Sequence, residues 1–320
     1  MSPKTAVLLM AYGTPSTLDE VEPYYRDIRG GRTPTQEQVA ELTERYRRVG
    51  GRTPLLDITR EVATALERRL NSAEDGNHRV YVGMKHWHPK IDEAVAQMAG
   101  DGFERIIGLP LAPHYSTMST DGYRGALEDA MRSRSISTPL RFIESWHGNP
   151  SFVTSTAVRV KEALADLSPQ DTVGLEVVFT AHSLPRSIIR IGDPYPQELL
   201  KSSEAVAEAA GLASWRFAYQ SASHTGQPWL GPDILETLAA LVGEGKDRVL
   251  VVPIGFVSDH LEILFDIDVE AQELAGELGL TLKRTQMPNA SPAFIDVLAE
   301  LVIDGTGARV TDSTVAGMDG

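Results

Sequence analysis

The chain has 320 residues, with 44 acidic against 30 basic side chains and a formal net charge of −14. That acidic balance argues against nonspecific nucleic-acid binding, which depends on neutralising phosphates, and no apolar run approaches the ~20 residues that span a bilayer. Cysteine is absent, which excludes disulfides, zinc–thiolate sites and iron–sulfur clusters, so any metal must meet His, carboxylate or Tyr.

The opening "MSPKTAVLLMAYGTP" reads as a buried strand at 5–11 and its turn, not as a signal peptide. A cytoplasmic location is therefore expected. Tyr12 stands just past that strand, either as a packed aromatic whose hydroxyl finds a partner or as a site residue. An arginine-rich stretch follows, with Arg26, Arg29, Arg32, Arg45, Arg47, Arg48 and Arg52 and no lysine among them. Two readings stand: exposed helix faces, or a guanidinium cluster gripping the carboxylates of a small polyanion.

Ile58, Val62, Leu66 and Leu70 have helical spacing, and a strand at 79–83 comes next. "KHWHP" at 85–89 is a weak metal signal in a loop. Ile91, Val95 and Met98 mark another helix, before strands at 104–111 and 139–144. The stretch "SWHGNPSF" at 145–152 is a reasonable crossing point into the second half, where strands at 174–181, 215–220, 248–255 and 280–284 are expected. Strands alternating with helices imply parallel sheets with right-handed crossovers.

The expected fold is thus α/β, with two similar Rossmann-like domains, each a parallel sheet flanked by helices, and a cleft between them. Expected boundaries are 1–148, joined by the helix 290–304, then 149–289, with 305–320 a flexible tail. The halves look alike in detail. "AVLLMAYGTP" resembles "EVVFTAHSLP", and "RIIGLPLAPHYS" resembles "RVLVVPIGFVSDH".

Ligands of open α/β sheets sit beyond the carboxyl ends of the strands. Those positions hold Tyr12, Lys85, His86, His114, Tyr115, His182 and the run from Asp259 to Glu262. His182 is either a strand-end hydrogen bonder or a base, and Glu262 either a solvated first-turn carboxylate or its partner. His114, His224 and His260 are isolated and read as structural. Asp259, Glu262, Asp266, Glu270, Glu273 and Glu277 recur three or four residues apart, with no basic residue until Lys283. On one helix each like-charge neighbour costs roughly 0.2–0.5 kcal/mol, so the stripe is either a solvated face or is compensated by a cation. No Walker-type loop and no GxGxxG after a strand supports nucleotide use.

Taken in order, "LLMAYGTP", "RYRRVGGRTPL", "GMKHWHP", "LAPHYST", "FTAHSLP", "GDPYP", "WLGPD", "GFVSDHLEILFDID" and "MPNASPAFI" resemble the ferrochelatases, which insert ferrous iron into a porphyrin. The resemblance covers residues 5 to about 303. The start and Tyr12 in "MAYGTP" resemble the coproporphyrin III branch. It implies that His182 and Glu262 are the catalytic and metal-handling pair, with Asp266 and Glu270 an outer track for cations or leaving protons. It places Tyr12 on the opposite face of the macrocycle, as an axial ligand of the product iron. It also implies that Arg29, Arg45, Tyr46, Thr53 and Tyr123 contact the tetrapyrrole or its propionates. Thr53 stands where close relatives can carry Ser, and the hydroxyl survives.

The resemblance further implies no permanently bound cofactor, Fe²⁺ as a substrate, and coproporphyrin III and ferrous iron as partners. A monomer without stable membrane insertion, handing coproheme transiently to a downstream enzyme, is expected. Alternatives are a protoporphyrin IX ferrochelatase, a chelatase for another tetrapyrrole such as sirohydrochlorin, and a two-lobed haem-binding carrier.

Overall fold

A computed structural model describes residues 3–72, 76–167, 174–223 and 226–314. His224 lies outside the described residues. The strands are β1 Thr5–Ala11, β2 His78–Met84, β3 Arg105–Pro110, β4 Leu140–Ser145, β5 Leu175–His182, β6 Arg216–Gln220, β7 Arg248–Val252, β8 Thr281–Arg284 and β9 Arg309–Ser313. The helices are α1 Val21–Ile28, α2 Gln36–Arg48, α3 Leu55–Leu70, α4 Ile91–Ala99, α5 Thr120–Arg132, α6 Pro150–Ala165, α7 Tyr195–Ala210, α8 Ile234–Gly243, α9 Leu261–Leu264, α10 Gln272–Glu277 and α11 Pro292–Ile303. Among the described residues no helix is long and apolar enough to cross a membrane.

The chain forms two compact units, Met1–Asn149 with Asn289–Gly320, and Pro150–Pro288. In the first unit the sheet order is β2-β1-β3-β4-β9. β1 is parallel to both neighbours and buried at all seven positions. A strand covered on both faces needs that unbroken apolar run. Leu8, Met10, Ile106, Phe142 and Leu127 pack on one side of this sheet with Val95 and Met98 of α4.

In the second unit the order is β6-β5-β7-β8, all parallel. The first four strands of each unit therefore share one order, with the opening strand between the second and third. This is the fold-level form of the sequence likeness between "AVLLMAYGTP" and "EVVFTAHSLP". The buried charge in β5 is Glu176, paired with Arg216 at 3.3 Å and Lys246 at 2.9 Å.

Two expectations need correction. Residues 309–313 are not part of a flexible tail: they form β9, antiparallel to β4. Polar cross-strand partners hold it, with Arg309 Nε donating to Glu144 at 3.0 Å, Thr311 Oγ1 at 2.6 Å, and Arg141 Nε donating to Asp312 at 3.2 Å. The first unit's sheet is consequently mixed, not purely parallel. Residues 315–320 lie outside the described residues.

The acidic run is likewise not one continuous α-helix. A π-helical stretch, Asp266–Ala271, separates α9 from α10, with the Glu270 N–H donating to the Phe265 carbonyl. Its first carboxylate, Asp259, precedes α9 altogether.

Candidate functional site

In each unit the opening strand feeds neighbours on opposite sides, so its carboxyl end is a switch point in strand order, where open sheets form crevices. In the second unit that end is His182. The β7 chain continues through "PIGFVSDH" into α9, and Gly255 crosses so close to β5 that a Cβ there would lie 2.5 Å from Ala181 Cβ. Only glycine lets this loop settle beside the residue preceding His182. The crossing delivers Glu262 to the imidazole.

His182 Nδ1 lies 3.3 Å from Glu262 Oε2, an ionic approach without hydrogen-bond alignment. Each side chain keeps about a third of its surface exposed, 32% and 31%. Burial alone would push the imidazole down, but the Glu262 carboxylate, with Asp266 behind it, overrides burial and holds His182 above the usual range. Burial would conversely raise Glu262, yet His182 and then His260 hold its carboxyl well below the usual carboxylate range. His260 Nδ1 donates to the Ser258 carbonyl at 3.0 Å, and its Nε2 lies 3.7 Å from Glu262 Oε2.

The surroundings fix this pair from several elements. Tyr195 Oη donates to the His182 carbonyl at 2.9 Å, and the Trp229 ring stands edge-on to the imidazole at 6.2 Å. Gln220 Nε2 donates to the Glu262 carbonyl at 2.7 Å, and Ser221 Oγ donates to Asp266. Arg284 donates to Asp259 at 2.9 Å and to Asp268 at 2.6 Å. The cation compensating the acidic run is thus, at Asp259, the protein's own arginine. Glu273 and Glu277 are exposed.

In the first unit the switch point carries Tyr12, 41% exposed, whose ring lies 4.6 Å from that of His86. Gly13 follows at φ +106°, where a Cβ would meet the Trp87 backbone at 2.9 Å. Thr14 Oγ1 then joins Tyr46 Oη at 3.2 Å and Thr53 Oγ1 at 2.8 Å. Tyr46 and Thr53 are both buried, as is Tyr123, whose ring receives the Lys85 ammonium at 5.2 Å. Burial holds Lys85 below the usual lysine range.

The arginine stretch divides into two kinds. Arg26, Arg45 and Arg52 pair with Glu22, Glu41 and Asp57 at 3.1, 3.2 and 3.6 Å, and Arg47 pairs with Glu44. Arg29 has no such partner among the described residues; its guanidinium lies 5.7 Å from the Tyr25 ring and its buried Nε makes no hydrogen bond.

"KHWHP" holds no paired metal ligands. His86 Nδ1 meets Asp27 at 3.0 Å while His88 Nδ1 meets Glu93 at 2.8 Å. His114 is buried and stacked on His147 at 5.6 Å, and burial keeps it well below the usual imidazole range. Sequence reading takes His260 as structural, although it sits two positions before Glu262, and gives Gln220, Ser221 and Tyr195 no role; Tyr195 stands in "GDPYP", whereas Gln220 and Ser221 carry no signal.

The fold is of the two-unit α/β chelatase type. A solved structure of SirB from Bacillus subtilis with Fe³⁺ has this fold, at TM-score 0.55 and 12% identity, over 95% of this chain and 96% of that one. The chain belongs to the ferrochelatase family, whose sequence profile matches residues 4–306. It is 51% identical to a ferrochelatase of Herpetosiphon aurantiacus, covering 94% of this chain and 99% of that protein. It is 43% identical to a coproporphyrin III ferrochelatase of Anoxybacillus flavithermus, covering 93% and 95% respectively.

Proposed function

We infer that this chain inserts Fe²⁺ into coproporphyrin III, releasing two pyrrole protons and forming coproheme. The observation that carries the reading is the His182–Glu262 pair at the β5 switch point, in a ferrochelatase with a 43% identical relative named for coproporphyrin III.

Metalation requires a base for the pyrrole protons and a ligand that accompanies iron as it sheds water. A neutral His182 serves as base, and the neighbouring carboxylate makes it a stronger one by stabilising the imidazolium that forms. Glu262, held ionised, supplies an oxygen suited to Fe²⁺ and orients the ring. Asp266 and Glu270 extend the negative field behind the pair, as an outer track for cations or leaving protons.

Bending the macrocycle presents its nitrogens to the metal, and remote binding supplies that distortion energy. Arg29 and Arg45 receive propionates, while Tyr46, Thr53 and Tyr123 shape the surrounding wall. Tyr12 meets the other face of the ring and offers an axial oxygen to product iron. The protein acts as a cytoplasmic monomer and passes coproheme transiently to a downstream enzyme.

The test is anaerobic Fe²⁺ insertion with coproporphyrin III and protoporphyrin IX in parallel, followed by loss of free-base fluorescence. Faster turnover of coproporphyrin is expected. Equal or better turnover of protoporphyrin would overturn the substrate assignment, and tight haem binding without insertion would indicate a carrier.

A further inference from the structure

Gln220 and Ser221 stand where β6 ends, beside the catalytic pair but outside it. Gln220 is the register partner of His182 and has no exposed surface. Its Nε2 donates to the Glu262 carbonyl at 2.7 Å, whereas its buried Oε1 has no hydrogen-bond partner. A buried amide with an unmet acceptor is costly. What it gains is a hold on the backbone of Glu262.

The next residue departs from ordinary geometry in the same place. Ser221 has φ +64°, a left-handed conformation that favours glycine. There its Oγ donates to Asp266, at the start of the π-helical stretch. Two consecutive residues thus reach across to two carboxylate-bearing positions on the α9–π segment. Neither contact comes from α9 or the π-helical stretch itself.

We propose that Gln220 and Ser221 are positioning residues that set Glu262 and Asp266 for the incoming metal ion. The inference rests on the iron-insertion reading, in which Glu262 meets the metal. The β6 turn holds the segment from its backbone at Glu262 and from its side chain at Asp266. Both carboxylates therefore face the metal from fixed positions while the porphyrin contacts remain elsewhere.

The experiment compares wild type, Gln220→Ala and Ser221→Gly, the latter keeping the left-handed turn while deleting the hydroxyl. Saturation is measured separately for Fe²⁺, with Zn²⁺ in parallel, and for coproporphyrin III. Porphyrin affinity is read by fluorescence quenching and folding by thermal midpoint. The expected result is at least a fivefold rise in metal KM or fall in kcat/KM for metal, porphyrin Kd within twofold, and no loss of thermal midpoint in Ser221→Gly. Metal KM and kcat/KM within twofold of wild type in both variants would overturn the proposal. So would equal losses for metal and porphyrin with a lowered midpoint, which would mark a packing role. A wild-type enzyme that inserts no metal into coproporphyrin would instead defeat the reading on which it rests.

Discussion

Arg284 Nη2 donates to Asp259 Oδ1 at 2.9 Å, so the first carboxylate of the acidic run is neutralised by a residue beyond its end. Arg284 also binds Asp268 through two nitrogens, whereas Ser221 takes one oxygen of Asp266, Oδ2. Only part of the run therefore remains to act on a passing cation. Asp266→Asn and Glu270→Gln should weaken metal use, read as a raised metal KM, more than porphyrin use. Glu273→Gln and Glu277→Gln, at exposed positions, should leave both unchanged. Uniform behaviour of all four variants in Fe²⁺ saturation curves would reduce the run to a solvated face.

The imidazole–carboxylate pair makes a prediction with a definite sign. Insertion needs neutral His182, and Glu262 raises its pKa against the effect of burial. Activity should therefore climb with pH through a value above the ordinary ~6.5 of imidazole. Glu262→Gln removes the opposing charge and leaves burial dominant, so the His182 titration should move to lower pH, read by its ring-proton NMR signals. The stability contribution runs the other way. It is complete below the ordinary imidazole pKa and lost as pH rises through the raised value, so the denaturant-midpoint gap between wild type and His182→Gln should narrow on going alkaline. His182→Ala should abolish metalation while porphyrin binding, followed by quenching, persists.

Much of this architecture was legible because it depends on apolar periodicity. β1 and β5 announce themselves as unbroken buried runs, and their shared strand–polar–Pro ending marks both switch points. His182 and Tyr12 are readable for the same reason: each follows directly from a strand end. Glu262 becomes His182's neighbour only through the Gly255 crossing, a tertiary event that no spacing along the chain encodes. The π-helical stretch is invisible to a helical-spacing argument, since Glu262, Asp266, Glu270 and Glu273 recur across it at intervals of three and four. β9 was hidden for a different reason. Its residues are polar and its pairing depends on Glu144 and Arg141, far away in the chain.

Unlike Arg26, Arg45, Arg47 and Arg52, Arg29 lacks a carboxylate partner among the described residues. Arg29→Ala should weaken coproporphyrin III binding about tenfold or more, equivalent to about 1.4 kcal/mol or more, which borders the lower end of the range for a charge-assisted hydrogen bond. Protoporphyrin IX, with fewer propionates, should lose less. Fluorescence titrations with both ligands provide the comparison. Equal losses would show that Arg29 does not read propionates.

Thr53 is buried and its hydroxyl meets Thr14, which in turn meets Tyr46. Thr53→Ser retains the hydroxyl and should keep porphyrin Kd within twofold of wild type. Thr53→Val removes one of the two hydroxyls that Thr14 meets and should destabilise the protein by roughly 0.5–1.5 kcal/mol, measured by urea unfolding. A variant as stable as wild type but poor in porphyrin binding would make Thr53 a substrate contact instead of a strut.

Tyr12 offers the sharpest separation of binding from product chemistry. It is 41% exposed at the first unit's switch point, with one side of its ring against His86. His86 sits below the usual imidazole range, because burial outweighs the opposing Asp27 carboxylate. A neutral imidazole therefore neighbours the phenol and supplies no cation to attract propionates. Deleting the hydroxyl should cost little affinity, since the ring still packs on His86 and carries no charge to lose. If the phenol oxygen ligates product iron, Tyr12→Phe should spare coproporphyrin Kd within twofold yet shift the visible spectrum of the ferric product. An unchanged ferric spectrum would assign Tyr12 to packing alone. A large loss of porphyrin affinity with an unchanged spectrum would place its hydroxyl on the substrate instead of the iron.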